Sequence, residues 1–255
     1  MITEFKQLPP TQKKSFAAEV HFFNLTMCQK MVTDLFSQWY TVKQKQRQTP
    51  EEVDDADLSQ MKTARDCLQQ MFADRLGLES AERFMGSATS PTDPKILRQL
   101  MKWTTDIHQR FVPDAQTFVQ FDASTPERLI EQYHPFTREV PNASFQGQPL
   151  RFTPWPLVRL IRVYLDSPIL QQNVIVADVP GGSDINYFRI ENAARYLQDC
   201  DMTIVVGKID RLQDNTSFQS QYMEAFRRKR SGSVILVATR SDVSTQRPNS
   251  CFKRH

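Results

Sequence analysis

Glycine is the residue that this chain most clearly lacks, with seven in 255 residues, of which the first is Gly77. A phosphate-binding loop of the form G-x-x-x-x-G-K-[ST] depends on glycine, because its backbone N–H groups wrap the phosphates where a Cβ atom would collide. The sole Gly-Lys pair, at 207–208, has Met202 at the first glycine position and Ile209 at the Ser/Thr position. The sequence therefore contains no phosphate-binding loop.

Cysteine, long apolar runs and net charge are also scarce. The four cysteines are scattered, with neither C-x-x-C spacing nor the density of a disulfide framework, which favours reduced thiols inside the cell. No apolar run approaches the ~20 residues of a membrane-spanning helix, and the N-terminus lacks the apolar stretch of a signal peptide. A net charge of +3 provides no nucleic-acid signal. We therefore expect an intracellular protein, in the nucleus or cytoplasm, and leave membrane association open.

Two polar motifs follow apolar runs in the last third of the chain. Residues 174–177 (Val-Ile-Val-Ala) lead into Asp-Val-Pro-Gly at 178–181, and residues 234–238 (Val-Ile-Leu-Val-Ala) lead into Thr-Arg-Ser-Asp at 239–242. An Asp-x-x-Gly motif can hold Mg²⁺ through water and present a backbone N–H to a γ-phosphate. A Thr-basic-x-Asp motif can accept both guanine N–H donors, which adenine does not offer. Alone, the first motif is an ordinary turn and the second a helix cap, but together they are typical of GTP-binding proteins.

The apolar runs predict three parallel strands, Val174–Asp178, Met202–Gly207 and Ser233–Thr239, separated by helices over 189–197 and 216–230. Apolar strands that alternate with helices indicate a parallel sheet covered on both faces. Right-handed crossovers would bring the three strand C-termini to one edge, where α/β proteins bind ligands. The predicted fold class is α/β: a partial P-loop GTPase-like three-layer sheet, mostly parallel, with a large α-helical insertion.

The rest of the chain divides by its periodicity. Residues 1–23 predict an edge hairpin of the G domain, in which Ile2–Gln7 pairs with Phe16–Phe23, and Leu160–Leu165 predicts an antiparallel strand at the sheet edge. Residues 24–149 show helical i, i+4 spacing and predict the insertion, with a polar linker over 43–56. Residues 150–242 then form the G-domain core, and 243–255 is predicted to be an unstructured tail.

Several stretches resemble the dynamin-superfamily large GTPases, nearest to the nuclear GTPase SLIP-GC type. They are Thr3-Glu4-Phe5, Trp155-Pro156-Leu157-Val158, the segment from Val176 to Gly181, Cys200-Asp201-Met202 and the segment from Val237 to Asp242. The resemblance covers 1–8 weakly and 150–242 well, and it matches the insertion only in position and helical character. It implies an enzyme that binds and hydrolyses GTP with Mg²⁺ and that can self-associate through its G domain.

The resemblance assigns a phosphate and metal site to the first motif. Asp178 is then the carboxylate that holds Mg²⁺ through water, Pro180 belongs to the nucleotide-binding turn, and the Gly181 backbone senses the γ-phosphate. Thr3 corresponds to a switch threonine that touches Mg²⁺ and, with Gly181, takes part in catalysis. An ordinary strand threonine is an equally good interpretation of Thr3.

The second motif is assigned to the guanine base. Thr239, Arg240 and Asp242 form that site, in which Asp242 accepts the guanine N–H donors. The family usually has lysine where this chain has Arg240. A guanidinium plane also stacks on a base, so this is a mild departure.

The missing loop and the short polar tail after Asp242 lead us to expect an incomplete G domain. The full-length form would bind and hydrolyse GTP, whereas this chain alone would be inactive. The alternative is a non-catalytic interaction module derived from a GTPase, whose helical insertion binds a partner through Trp39 and Trp103. The unpaired neighbours of a missing central strand would be an aggregation hazard.

Overall fold

The computed structural model describes residues 1–76, 79–113, 116–138, 140, 143–180, 187–208, 223, 227 and 233–239. The chain divides into two units, a larger one drawn from 1–180 and 184–193 and a smaller one drawn from 181–183 and 194–255. The tail predicted over 243–255 lies outside the described residues, as does the helix predicted over 216–230 apart from Met223 and Arg227. The described part is a mixed α/β structure with a mixed sheet.

The strands of the larger unit are β1 (Ile2–Gln7), β2 (Phe16–Phe22), β3 (Phe118–Ala123), β4 (Ser144–Phe145), β5 (Gln148–Pro149), β6 (Val158–Leu165) and β7 (Val176–Asp178). Its helices are α1 (Leu25–Gln48), α2 (Asp55–Met71), α3 (Ala73–Leu76), α4 (Ala81–Met85), α5 (Pro94–Phe111) and α6 (Pro126–Tyr133). Short 3₁₀ turns cover Pro50–Glu52, His134–Phe136, Trp155–Leu157 and Leu170–Gln172. Helix α7 (Tyr187–Asp199) belongs partly to each unit, and β8 (Thr203–Lys208) and β9 (Val234–Thr239) belong to the smaller one.

A five-stranded sheet in the order β3-β2-β6-β1-β7 organises the larger unit. Strand β6 runs parallel to β1 and antiparallel to β2, while β7 runs antiparallel to β1. The hairpin expected over 1–23 does not form, because β6 lies between its two strands. Strand β6 is therefore central and not at the edge, which its buried Ile161 and Val163 side chains explain, since a central position covers them best.

The helices begin where the sequence supplies a side-chain cap. The Asn24 side chain accepts from the Met27 backbone N–H (2.8 Å), and Asp54 does the same for Asp57 (2.7 Å). Helix α1 continues to Gln48, through part of the predicted linker. Lysine and glutamine are good helix formers, and the Lys45 ammonium contacts the Asp57 carboxylate at 2.7 Å, which ties the end of α1 to α2.

One apolar core lies between the helices and one face of the sheet. Buried side chains of α1, α2 and α5 meet those of β2 and β6, and they include Met31, Leu35, Trp39, Leu68, Leu100, Ile107, Val20 and Ile161. Helices occupy most of the described residues of 24–111, which confirms the helical periodicity predicted there. Strand β3 and the β4–β5 pair, however, lie within the region predicted to be helical.

The two tryptophans of the predicted partner-binding surface belong to this core region. Trp39 is 2% exposed. The Trp103 ring is partly buried, with its centre 5.4 Å from that of Phe72 and 5.0 Å from that of Phe84. Their role is packing, and the expectation that they form a binding surface is wrong for Trp39.

Strands β8 and β9 of the smaller unit pair in parallel. Their register runs from Thr203 opposite Val234 to Lys208 opposite Thr239. This confirms the parallel pairing predicted for the second and third apolar runs. The first apolar run forms β7, which pairs with β1 in the antiparallel sense. Among the described helices, none combines the length and apolar character needed to span a bilayer.

Candidate functional site

Thr3 and Asp178 lie directly opposite each other in the antiparallel β1–β7 pair. Opposed residues of antiparallel strands have Cα atoms about 4.5–5.5 Å apart and side chains on one face of the sheet. Thr3 is half-buried and Asp178 is exposed. The fold therefore brings together the two residues that the sequence assigned to the metal, although they are 175 positions apart in a chain of 255 residues.

A carboxylate and a hydroxyl on neighbouring strands fit the oxygen preference of Mg²⁺. Asp178 would hold the ion through water and Thr3 would contact it directly. In the part of the chain that the structure describes, no group of three His, Cys, Asp or Glu side chains is arranged to hold a metal ion. Two protein oxygens alone do not complete the shell of Mg²⁺, so the remaining ligands would be water and phosphate oxygens.

A row of charged side chains on the opposite sheet face holds β1 in register. Glu4 follows Thr3 and lies opposite Arg162 of β6, which in turn lies opposite Glu19 of β2. The Arg162 Nε donates to the Glu4 carboxylate at 2.6 Å, and its Nη1 lies 3.9 Å from the Glu19 carboxylate. Glu4 is buried. Because a one-residue slip would move Glu4 to the apolar face, this ion pair favours the observed register of β1 against β6.

Burial is the largest influence on the pKa values of Arg162 in this row and of His21 and Tyr164 beside it. Burial lowers the pKa of His21, although the hydrogen bond that joins its Nε2 to Glu19 at 2.8 Å acts against this. Burial and then the Glu19 charge raise the pKa of Tyr164 to about 12. For Arg162, burial acts to lower the pKa, but the hydrogen bond and charge of Glu4 outweigh it and the pKa is raised. The Arg162 guanidinium is thus held in its charged form.

Sequence inspection did not identify this row as part of the site. Its signal was the presence of charged residues inside three otherwise largely apolar strands, namely Glu4 and Lys6 in β1, Glu19 in β2, and Arg159 and Arg162 in β6. A buried charge is expected to be paired. The pairing follows only once β6 is known to lie between β1 and β2.

Thr239 ends β9 in the smaller unit. Its hydroxyl donates to the Gly207 carbonyl of β8 at 3.2 Å and so ties the two strand ends together. Pro180 follows β7 and is half-buried. Gly181, Arg240 and Asp242, the other residues predicted to bind nucleotide, lie outside the described residues.

Comparison with known proteins gives two distant relatives. The chain is 24% identical over 138 residues to the human protein Nuclear GTPase SLIP-GC, a match that covers 52% of this chain and 17% of that protein. It is 22% identical over 135 residues to the mouse protein of that name, covering 51% of this chain and 17% of the relative. No protein-family model matches. The similarity indicates a distant GTPase-like relationship over about half of the chain.

Proposed function

We propose that this chain is part of the G domain of a dynamin-like large GTPase whose full-length form binds and hydrolyses GTP. The observation that carries the proposal is the opposition of Thr3 and Asp178, two residues distant in sequence that a Mg²⁺–phosphate site would need together. When bound, Mg²⁺ neutralises charge that develops on the β- and γ-phosphate oxygens. Thr3 and Asp178 position that ion, and the backbone N–H of Gly181 meets the γ-phosphate.

Base recognition is assigned to the end of β9. The parallel β8–β9 pair presents Thr239 at its C-terminal edge, the edge at which α/β proteins bind ligands. Arg240 stacks on the guanine and Asp242 accepts its N–H donors. The name of the similar proteins supports a nuclear location, and self-association through the G domain is part of the same proposal.

The isolated chain should neither bind GTP at micromolar concentration nor hydrolyse it, because its sequence has no glycine-rich loop to surround the phosphates and no loop lysine to neutralise them. Titration with a fluorescent GTP analogue, with and without Mg²⁺, tests this. Saturable binding below about 10 μM, roughly −7 kcal/mol, would show that another group replaces the loop.

A longer form that contains G-x-x-x-x-G-K-[ST] would test the site residues. Asp178→Asn and Thr3→Ala should each weaken Mg²⁺-dependent GTP binding about tenfold, the loss of one charge-assisted contact. Asp201→Asn and Thr11→Ala are matched controls, since both residues are exposed and lie outside the proposed site. Equal affinities in the site variants and their controls would remove Thr3 and Asp178 from the metal site.

Nucleotide preference in the longer form tests the base site separately. Asp242→Asn should shift preference from guanine toward xanthine nucleotides, because an amide offers a donor where guanine needs an acceptor. An unchanged GTP affinity in this variant would exclude Asp242 from base recognition.

A further inference from the structure

A cavity of about 420 Å³ opens in the larger unit, away from Thr3 and Asp178. Its walls come from Gln70 at the C-terminal end of α2, from Arg138 and Val140 after the 3₁₀ turn His134–Phe136, and from residues 149–153 at the end of β5 and beyond it. Ligand pockets for small organic molecules have volumes of roughly 300–1,000 Å³. The cavity is therefore large enough for a side chain with its flanking peptide groups, and a single phosphate ion would leave most of it empty.

The floor of the cavity is apolar. Pro135, Leu150 and Phe152 are buried side chains that line it, together with half-buried Val140. Phe152 is anchored from behind by the core, since its ring centre lies 6.0 Å from that of Phe111. An apolar floor of this kind can accept an aliphatic or aromatic side chain.

The rim of the cavity is positively charged. Arg138 and Arg151 both line it and both are exposed. Neither forms an ion pair with any residue in the described ranges. A guanidinium offers a planar set of donors that matches a carboxylate with two parallel hydrogen bonds. The rim is therefore suited to carboxylates.

A third arginine lies against the cavity wall. The Arg110 guanidinium carbon is 5.5 Å from the centre of the Phe152 ring, and its Nη2 is buried with no hydrogen-bond partner in the part of the chain that the structure describes. Burial raises the pKa of Asp74, whose carboxylate lies 3.6 Å from Arg75, while the charges of Arg75 and Arg110 act to lower it, so Asp74 already balances part of the Arg110 charge. An unpartnered buried donor is unfavourable and requires an explanation. A bound anion beside Phe152 would reduce this cost by Coulomb attraction.

We propose that this cavity binds an acidic peptide segment. The peptide seats an apolar side chain on Leu150 and Phe152, and flanking carboxylates pair with Arg138 and Arg151. The partner is then a protein with an exposed segment in which acidic residues surround an apolar one. This site is independent of nucleotide binding and would make the larger unit an interaction module as well as part of a G domain.

Fluorescence anisotropy of a labelled Glu-Glu-Leu-Phe-Glu-Glu peptide, titrated with the full chain at low salt, tests the proposal. We expect saturable binding that the Arg138→Ala/Arg151→Ala double variant weakens at least tenfold, about 1.4 kcal/mol. The Arg98→Ala/Arg128→Ala double variant is the matched control, because it removes the same charge from exposed positions on α5 and α6. All four arginines are exposed, so the variants should keep the thermal stability of the parent chain.

Changes in the peptide separate the two parts of the site. Replacing its glutamates by glutamine, or its Leu-Phe pair by serine, should each weaken binding about tenfold. The proposal is overturned if no saturable binding occurs, if both double variants bind alike, or if the serine peptide binds as well as the parent. Inorganic pyrophosphate that binds as tightly as the peptide would also overturn it and assign the rim to phosphate.

Discussion

At the scale of single residues, the Glu4–Arg162 ion pair bears on the register of β1, the strand that carries Thr3. The pair links β1 to β6 across a parallel register in which Glu4 is opposite Arg162. The Glu4 side chain is 7% exposed and that of Arg162 is 29% exposed, so the carboxylate depends on its partner for solvation. The register of β1 against β6 therefore depends in part on two side chains that lie outside the candidate metal site.

Removing one member of the pair should destabilise the fold more than removing both. Arg162→Met leaves the Glu4 carboxylate buried without its partner and should lower the free energy of unfolding by about 3 kcal/mol. Glu4→Leu/Arg162→Met should lie within about 1 kcal/mol of the parent chain, since an apolar pair needs no desolvation. Urea unfolding of the two single variants and the double variant measures the coupling energy. Additive effects would mean that the two side chains do not interact.

Asp93 should make stability depend on acid pH. Its carboxylate accepts from Thr89 at 2.9 Å and from the backbone N–H groups of Lys95 and Ile96, and the contacts of Thr89 above all lower its pKa to about 2. Since the unfolded pKa is about 3.9, this stabilisation is complete above that pH and is lost as the pH falls through about 2.

The Asp93→Asn variant should be less stable than the parent at pH 7, and the difference should vanish as the pH approaches 2. Urea midpoints of the variant and the parent chain, measured between pH 7 and pH 2, test this expected pH dependence. Asp106→Asn, on the same helix, is the control, because its carboxylate lies 4.0 Å from Arg75 and makes no cap. A difference from the parent chain that does not change with pH would contradict the role of the Asp93 charge.

At the scale of elements, the turn between β4 and β5 shapes the segment that leads into the acidic-peptide cavity. Gln146 (φ 51°) and Gly147 (φ 75°) are both in the left-handed region, as a type I′ hairpin turn requires. Gly147→Ala should destabilise the chain by about 1 kcal/mol, and Gln146→Asn should stabilise it by at most about 0.5 kcal/mol, because asparagine tolerates positive φ. Thermal unfolding measures both. Gln148→Asn in β5 is the control and should give no gain.

Helices were more accessible to sequence reasoning than the sheet. Apolar i, i+4 spacing is a local pattern, so the helical character of the region that contains α1, α2 and α5 could be predicted, although the linker predicted over 43–56 overlaps the end of α1. Strand β3 pairs with β2, a partner about a hundred positions away, and no local pattern specifies that pairing. The position of β6 between β1 and β2 could not be predicted for the same reason, because β6 is distant in sequence from both of them.

In the candidate site, too, single residues could be predicted from the sequence, whereas their arrangement in space could not. Asp178 could be identified because its motif is contiguous, and Thr3 could be proposed from a family resemblance. Their opposition could not be predicted, because it depends on β7 pairing with β1 in the antiparallel sense, and no local pattern specifies that pairing. The roles of Gly181 and Asp242 remain predictions.

At the scale of the whole molecule, the β8–β9 pair exposes an apolar face. Register places Ile204 beside Ile235 and Val206 beside Val237, and Ile204 and Val206 are 56% and 60% exposed. Parallel strands are normally covered on both faces. We therefore expect the isolated chain to aggregate as its concentration rises.

Charge on this face should suppress the aggregation. Ile204→Lys/Val206→Lys should raise the concentration at which light scattering begins. Leu58→Lys/Ile130→Lys adds the same charge to exposed apolar positions on α2 and α6, and it should have a smaller effect. If both double variants suppress scattering equally, net charge and not the β8–β9 face controls solubility.

The parallel pairing of β1 with β6 also has a consequence for the order in which the chain acquires its structure. During synthesis at roughly 5–20 residues per second, β1 leaves the ribosome several seconds before its neighbour β6 exists. Helices α1, α2 and α5 have local contacts and can form in that interval. Until β6 and β7 have been synthesised, both edges of β1 remain unpaired, and we expect chaperones to bind it during this interval. Strand β1, Ile2–Gln7, comes first in the sequence, and we expect it to be among the last parts of the sheet to fold.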